Sequence, residues 1–223
     1  MRAAKALEMI RAGRIDELVI LLKDEVYANS LKRGSGAKQR YAAMKKYFNY
    51  ADSVREVCQK PAKIIFEDVE YTAFTDAYSL VLTTESSGEI ELYELDNYPD
   101  VTRLVSFEGE ERQIDIGKVI AKAKSEGYKL LKREYFANRC LFHYGGTYFR
   151  IALLDVAYKI IANGGECTVY HREGLNPMVI KNDIGICVVM PIRRVTEDEE
   201  LDDEKIIIEL DDILEGDDPD ELR

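Results

Sequence analysis

Hydrophobic spacing changes period at Pro61, and that change decides what each part of the chain can become. Before it, apolar residues recur every three or four positions; in the stretch directly after it, the period shifts towards two. The first spacing lines up one face of a helix and the second one face of a strand, so the two parts cannot share a secondary structure. MRAAKALEMIRAG predicts a helix that stops at Gly13, because glycine takes the left-handed capping conformation at little cost. RIDELVILLKDEVYANSLKRG then places Ile15, Leu18, Leu21, Leu22 and Val26 at helical spacing. After the break at Gly34-Ser35-Gly36, AKQRYAAMKKYFNYADSVREVCQK carries Tyr41, Met44, Phe48, Ala51 and Val54 on one stripe until proline ends it.

From Ala62 onward, AKIIFEDVEYTAFTDAYSLVLTTE predicts two closely joined strands, and EIELYEL a further one. YPDVTRLV is a connector punctuated by proline. IDIGKVIAKAKSEGY predicts a short helix with Val119, Ile120 and Ala123 inward and Gly127 as its stop. Strands broken at Gly145-Gly146 follow. LLDVAYKIIANGG then predicts the clearest helix of the chain, with Leu153, Val156, Ala157, Ile160 and Ile161 inward and Gly164 as cap. ECTVYHREG and NPMVIKNDIGICVVMPIRRV close the pattern with three strands. The expected class is α+β, with helices and mostly antiparallel strands in two similar groups.

Charge is distributed unevenly. The net charge is −11, but residues 196–223 hold fifteen Asp or Glu against Lys205 and Arg223, so the rest of the chain carries +2. Residues 1–60 alone carry +6. A basic front permits a polyanion partner and does not demand one. The acidic end reads as a solvated tail, with KIIIELDDIL as a weakly structured apolar island or as a segment that docks on a partner. No apolar run exceeds that from Leu18 to Leu22, so no membrane partner is expected. The N-terminus shows no apolar signal segment, and Cys58, Cys140, Cys167 and Cys187 are widely spaced. They read as reduced core thiols of a cytoplasmic protein.

Catalytic motifs are lacking. There is no GxxxxGK[ST], GxGxxG or GxSxG, and neither His143 nor His171 has a ligand partner at helical spacing. The carboxylate pairs Asp202-Asp203 and Asp211-Asp212 fall in the acidic end and read as solvated faces. The expectation is a protein that is not an enzyme and has no cofactor and no metal.

Four pieces carry a resemblance. NPMVIKNDIGICVVMPIR is similar to the closing hairpin of the bacterial sliding clamp, the beta subunit of DNA polymerase III, whose last strand ends Met-Pro-apolar-Arg. YFRIALLDVAYKIIA resembles the strand and helix before that hairpin. YPDVTRLV resembles the aromatic-Pro-Asp connector opening the family's last domain, and TDAYSLV resembles its Thr-Asp-Gly-aromatic turn. In the family's order, these pieces cover roughly residues 38–194. The resemblance implies a sliding-clamp-like fold divided as an N-terminal helical segment (1–36), a first clamp-like unit (37–97), a second (98–195) and the acidic tail (196–223).

It also implies partners. Clamp-binding proteins insert a short peptide with apolar anchors into a cleft built from the turn, the connector and the final strand. Carried over by position, that cleft comprises Thr75, Ala77, Tyr78, Ser79 and Leu80, then Pro99 and Leu104, then Pro177, Val188, Met190 and Pro191. Met190 suits such a wall because its thioether side chain adapts to different occupants. Read from the residues alone, Ile186, Val188, Met190 and Ile192 alternate into an ordinary core instead. Helices lining the family's ring touch duplex phosphates. The matching cations here are Lys32, Arg33, Lys38, Arg40, Lys45 and Lys46, with Lys118 and Lys122, a set that also fits a plain solvated face.

The departures are specific. The chain is much shorter than the family's, with a segment lacking between Leu92 and Tyr98. Ala77 replaces glycine and Ser79 replaces arginine. A ring would need more copies of the chain than the family uses. Two functions follow: a clamp-like replication or repair accessory protein that binds partner peptides and DNA, as a homo-oligomer, or an adaptor or decoy that binds peptides without encircling DNA.

Overall fold

The computed structural model describes residues 3–48, 58, 60–93, 98–130, 140–162, 166–192, 206–210 and 213. The helical front resolves into α1 (Ala3–Arg11), α2 (Ile15–Ser30) and α3 (Gly36–Phe48). Gly13, between the first two, has φ +72°, the left-handed conformation its residue type favours.

Past Pro61 the chain forms β1 (Ala62–Phe66), β2 (Val69–Thr75) and β3 (Ser79–Thr83). A 3₁₀ turn at Val101–Leu104 leads to β4 (Glu110–Gln113) and α4 (Ile116–Leu130). The hairpin β5 (Cys140–Tyr144) and β6 (Thr147–Arg150) turns at Gly145-Gly146 and runs into α5 (Ile151–Ile161). The strands β7 (Thr168–His171), β8 (Met178–Asn182) and β9 (Gly185–Val189) follow, and β10 (Ile206–Glu209) comes last.

Seven of these strands make one antiparallel sheet in the order β1-β2-β3-β9-β8-β7-β4. The central junction is β3 against β9, with Leu80 opposite Val188 and Leu82 opposite Ile186. Three more strands form a small sheet in the order β10-β5-β6, with β10 parallel to β5.

The period of two explains how the large sheet is covered. Val81, Met178, Ile180, Cys187 and Val189 point into a core shared with α3, α4, α5 and the small sheet. Their neighbours Leu80, Leu82, Val179, Ile186 and Val188 point the other way, into a second core closed by Tyr98, Val101, Val105 and Phe107 of the connector. Both faces are buried, so β9 reads as a continuous apolar run.

Several expectations are corrected. The stretch from 62 to 84 holds three strands, because Glu67 and Asp68 turn tightly at φ 50° and 62°. Residues 89–93 of EIELYEL form no strand. α4 runs past Gly127 to Leu130, since one glycine inside a helix costs only about 1 kcal/mol. α5 begins at Ile151 and buries Leu154 and Asp155, while Leu153 and Val156 are half-buried. Of the five apolar residues on the α2 stripe, only Leu18 is buried. The apolar island of the acidic end is more than a weakly structured patch: Ile206 and Ile208 are buried in β10, on the chain's own small sheet. Ala51, Val54 and Gly164, with Asp202-Asp203 and Asp211-Asp212, lie outside the described residues.

Candidate functional site

The turn between β2 and β3 is held by its own side chains. Asp76 Oδ1 accepts from the backbone N–H groups of Tyr78 (2.9 Å) and Ser79 (2.6 Å) and from the Ser79 hydroxyl (3.0 Å). Because the Ser79 hydroxyl donates there, it accepts from the buried Tyr47 hydroxyl of α3 at 3.0 Å. Thr75 Oγ1 donates to the Ser79 carbonyl oxygen (2.9 Å) and accepts from the Ala77 N–H (3.1 Å). Ala77 sits at φ +71°, the left-handed region in which glycine would be unstrained. The surrounding hydrogen bonds over-determine that conformation.

The final strand is tied to this turn. Beyond the last paired residues of β3 and β9, Ser79 and Val189, the Met190 N–H donates to the Tyr78 carbonyl oxygen at 2.9 Å. Two residues further, Ile192 N–H donates to Tyr148 of β6, so the chain leaves the large sheet for the small one at Pro191. Proline fits that crossing because it has no N–H to place in either ladder.

The connector completes the enclosure. The 3₁₀ turn lays Val101 against the second core, 6% exposed, with Leu104 outward at 43%. Together the three segments bound a cleft of about 410 Å³. It is lined by Thr75, Ala77, Ser79 and Leu80, by Pro99 and Leu104, and by Val188 and Met190. Its floor is the cross-strand pair Leu80 and Val188, each 1% exposed, which is the end of the second core. The alternating stripe of β9 is thus core at Ile186 and Val188 and opens into a half-buried cleft wall at Met190.

Three carried-over residues do not line the cleft. Tyr78 is 60% exposed on the outside of the turn. Pro177 precedes β8, where its carbonyl oxygen lies 3.4 Å from His171 Nδ1, and Pro191 makes the crossing between sheets. Conversely, Cys58, Val101, Asp100 and Arg103 line the cleft and were not picked out. Val101 and Arg103 sit beside Pro99 in the connector and could have been taken from it; no local signal points to Cys58. Asp100 and Arg103 are paired at 2.9 Å on the rim. Hydrogen bonding from Thr102, then Arg103, holds the Asp100 carboxyl below its usual pKa. Behind Pro99, the Tyr98 hydroxyl is buried without a hydrogen-bond partner among the described residues. Burial and the neighbouring Cys58 push its pKa up to about 12.

The basic residues differ in exposure and in what they pair with. Lys32, Arg33 and Lys46 are exposed, and Lys38 is half-buried. Arg40 is turned inward, its side chain 12% exposed, onto Glu85 at 3.0 Å. Lys45 pairs with Asp24 of α2. Lys118 and Lys122 lie on α4, which packs on α5 as α3 does. Of the histidines, His143 Nδ1 lies 2.7 Å from Glu209 of β10 and His171 is buried. Among the described residues, no group of three or more His, Cys, Asp or Glu could hold a metal, and no helix is long and apolar enough to cross a membrane.

A seven-stranded antiparallel sheet backed by paired helices, with an apolar cleft at the junction of two strand groups, is a sliding-clamp-like fold. A solved structure carries that likeness. A protein of Eubacterium rectale provisionally named a DNA polymerase III beta subunit superposes with a TM-score of 0.51 at 13% identity, over 73% of this chain and 65% of that one. The DNA polymerase sliding clamp of Bacillus subtilis gives 0.48 at 12% identity, over 72% and 63%. The DNA polymerase III beta subunit of Thermotoga maritima gives 0.48 at 10%, with the same coverage. The chain therefore spans less than two thirds of the length of each, and the likeness is one of fold. No protein-family model and no curated protein sequence matches the chain.

Proposed function

We propose that this chain is a non-catalytic, clamp-like accessory protein of DNA replication or repair that captures an extended partner peptide in the cleft. The observation that carries the reading is the convergence of the turn, the connector and the end of β9 on one apolar cavity of about 410 Å³. That volume is within the range of sites that hold a few side chains, and the walls are largely apolar with the Asp100–Arg103 pair at the rim. An apolar anchor of the peptide would rest on Leu80 and Val188, with Met190 and Leu104 closing over it. The reading keeps two clamp-like units, 37–97 and 98–195, joined through β3 and β9.

The test is fluorescence anisotropy with a labelled peptide bearing the clamp-binding motif of a replicative polymerase. Met190→Asp and Leu104→Asp should each weaken binding at least tenfold, because each puts a charge in the apolar wall. Leu104 is 43% exposed, so its variant keeps the melting temperature of the parent. A folded Leu104→Asp protein that binds the peptide as the parent does would remove the proposal.

A second reading is an adaptor that binds peptides without DNA. It is favoured by Arg40 and Lys45, whose charges are engaged by Glu85 and Asp24 within the chain. Duplex binding that falls steeply between low and physiological salt supports the first reading, and none at low salt supports the second.

A further inference from the structure

The helical front carries an apolar face that none of the described residues covers. Neither core cluster includes a residue of α1 or α2. α2 is held to the body by Tyr27 edge-on against Tyr41 at 4.8 Å, and by Asp24, which accepts from Tyr41 and Lys45. On its outer side, Ile15, Val19, Leu22 and Val26 are between 42% and 69% exposed. Their spacing of four, three and four residues is that of a coiled-coil seam, which a single helix does not need. Leu7 and Ile10 of α1 are exposed as well, about half each. Met9 and Leu18 are the only buried residues of the two helices.

We propose that α1 and α2 form a self-association module, in which α2 pairs antiparallel with α2 of a second copy about a two-fold axis. The seam is its own complement: reversed, Ile15 meets Val26 and Val19 meets Leu22 of the other copy, each contact occurring twice. The flanking charges select this direction. Asp16 and Lys23 are exposed on the same edge of the seam, one heptad apart, and neither has an ion-pair partner among the described residues. Antiparallel pairing sets Asp16 against Lys23 of the other copy, twice. Parallel pairing sets Lys23 against Leu18 and Glu25 against Ser30, with no opposite charges matched. α1 flanks the other edge, where Leu7 and Ile10 extend the contact to the second hairpin and make a four-helix arrangement. The inference is independent of the cleft.

Sedimentation equilibrium of the full chain tests it. The parent should show a concentration-dependent dimer of twice 25.5 kDa. Val19→Asp and Leu22→Glu alter exposed positions, so each should stay folded by circular dichroism while the dissociation constant rises at least 100-fold. Asp16→Lys and Lys23→Asp should each raise it about tenfold, and the double exchange should return it to within threefold of the parent. A parent monomeric at 100 µM (on the order of the weakest useful association), a dimer indifferent to Val19→Asp, or charge exchanges that fail to compensate would each overturn the proposal. Peptide binding by the cleft stays at the parent's level in every one of these variants.

Discussion

Met190 and Tyr78 are joined by a backbone hydrogen bond of 2.9 Å that continues the β3–β9 junction one step past its last paired residues. It makes the turn at 76–78 and the end of the final strand a single rigid edge. The cleft between that edge and the 3₁₀ connector inherits its shape from how well the turn is fixed.

The turn is strained at one residue. Ala77 at φ +71° lacks glycine's freedom. Ala77→Gly should therefore raise stability by about 0.5–1 kcal/mol, the relief of strain being partly offset by a more flexible unfolded chain. Ala77→Val, with a branched side chain in the same conformation, should lower it by about 2 kcal/mol. Urea unfolding of the two variants measures both signs.

Behind the connector, the buried Tyr98 hydroxyl has no partner among the described residues. Tyr98→Phe removes an unsatisfied polar atom and should leave stability unchanged or raise it by about 1 kcal/mol at pH 7. The pH dependence follows from the direction of the shift. The folded pKa, about 12, lies above the ordinary 10.0, so the neutral phenol's contribution is present below pH 10 and is lost as pH rises towards 12. The stability difference between Tyr98→Phe and the parent should widen in the variant's favour across that window. Thermal melts at pH 8 and pH 11 would read it.

Asp155 sits inside α5 with Lys124 of α4 at 2.6 Å and Lys159 of its own helix as partners. Burial raises its pKa, but hydrogen bonds from the two lysines outweigh burial, so the carboxyl ionises below its ordinary 3.8. The folded pKa being depressed, the pair stabilises the fold above about pH 4 and the contribution disappears as pH falls below that value. Asp155→Asn should cost about 2 kcal/mol at pH 7, less than a fully buried pair because both lysines are a third exposed. The parent and the variant should converge in stability as the pH falls below 4, as followed by denaturant titration at each pH.

β10 is tested by its most buried residue. Ile208, 0% exposed opposite Phe142, fills the core between α4 and the small sheet. Ile208→Ala should destabilise the whole chain by about 3 kcal/mol. A melting temperature unchanged by that substitution would return the acidic end to the status of a solvated tail.

Much of the architecture was legible locally. Pro61, the glycine pair at 145–146 and the two periods of apolar spacing located most helices and strands, because each depends on neighbours along the chain. The misjudged elements are those in which distant packing outweighed local preference. Gly127 stays helical within α4, Asp155 is accepted into the core because two lysines reach it, and Ile206 and Ile208 become a strand because β5 offers an open edge. On α2, the apolar spacing marks one helix face, and the structure buries Leu18 of it while leaving Ile15, Leu22 and Val26 exposed.

The amino-acid order by itself determined where helices give way to strands, the alternation along β3, β8 and β9, and the lack of catalytic motifs. Only the tertiary structure decided that Leu80 meets Val188, that Tyr78 holds Met190, that Cys58 joins the cleft, and that Arg40 and Lys45 answer Glu85 and Asp24. The physical reason is range. Backbone preference and side-chain period act over a few residues, whereas strand register and charge pairing are chosen among positions far apart in the chain, by whichever arrangement buries both faces of one sheet at once.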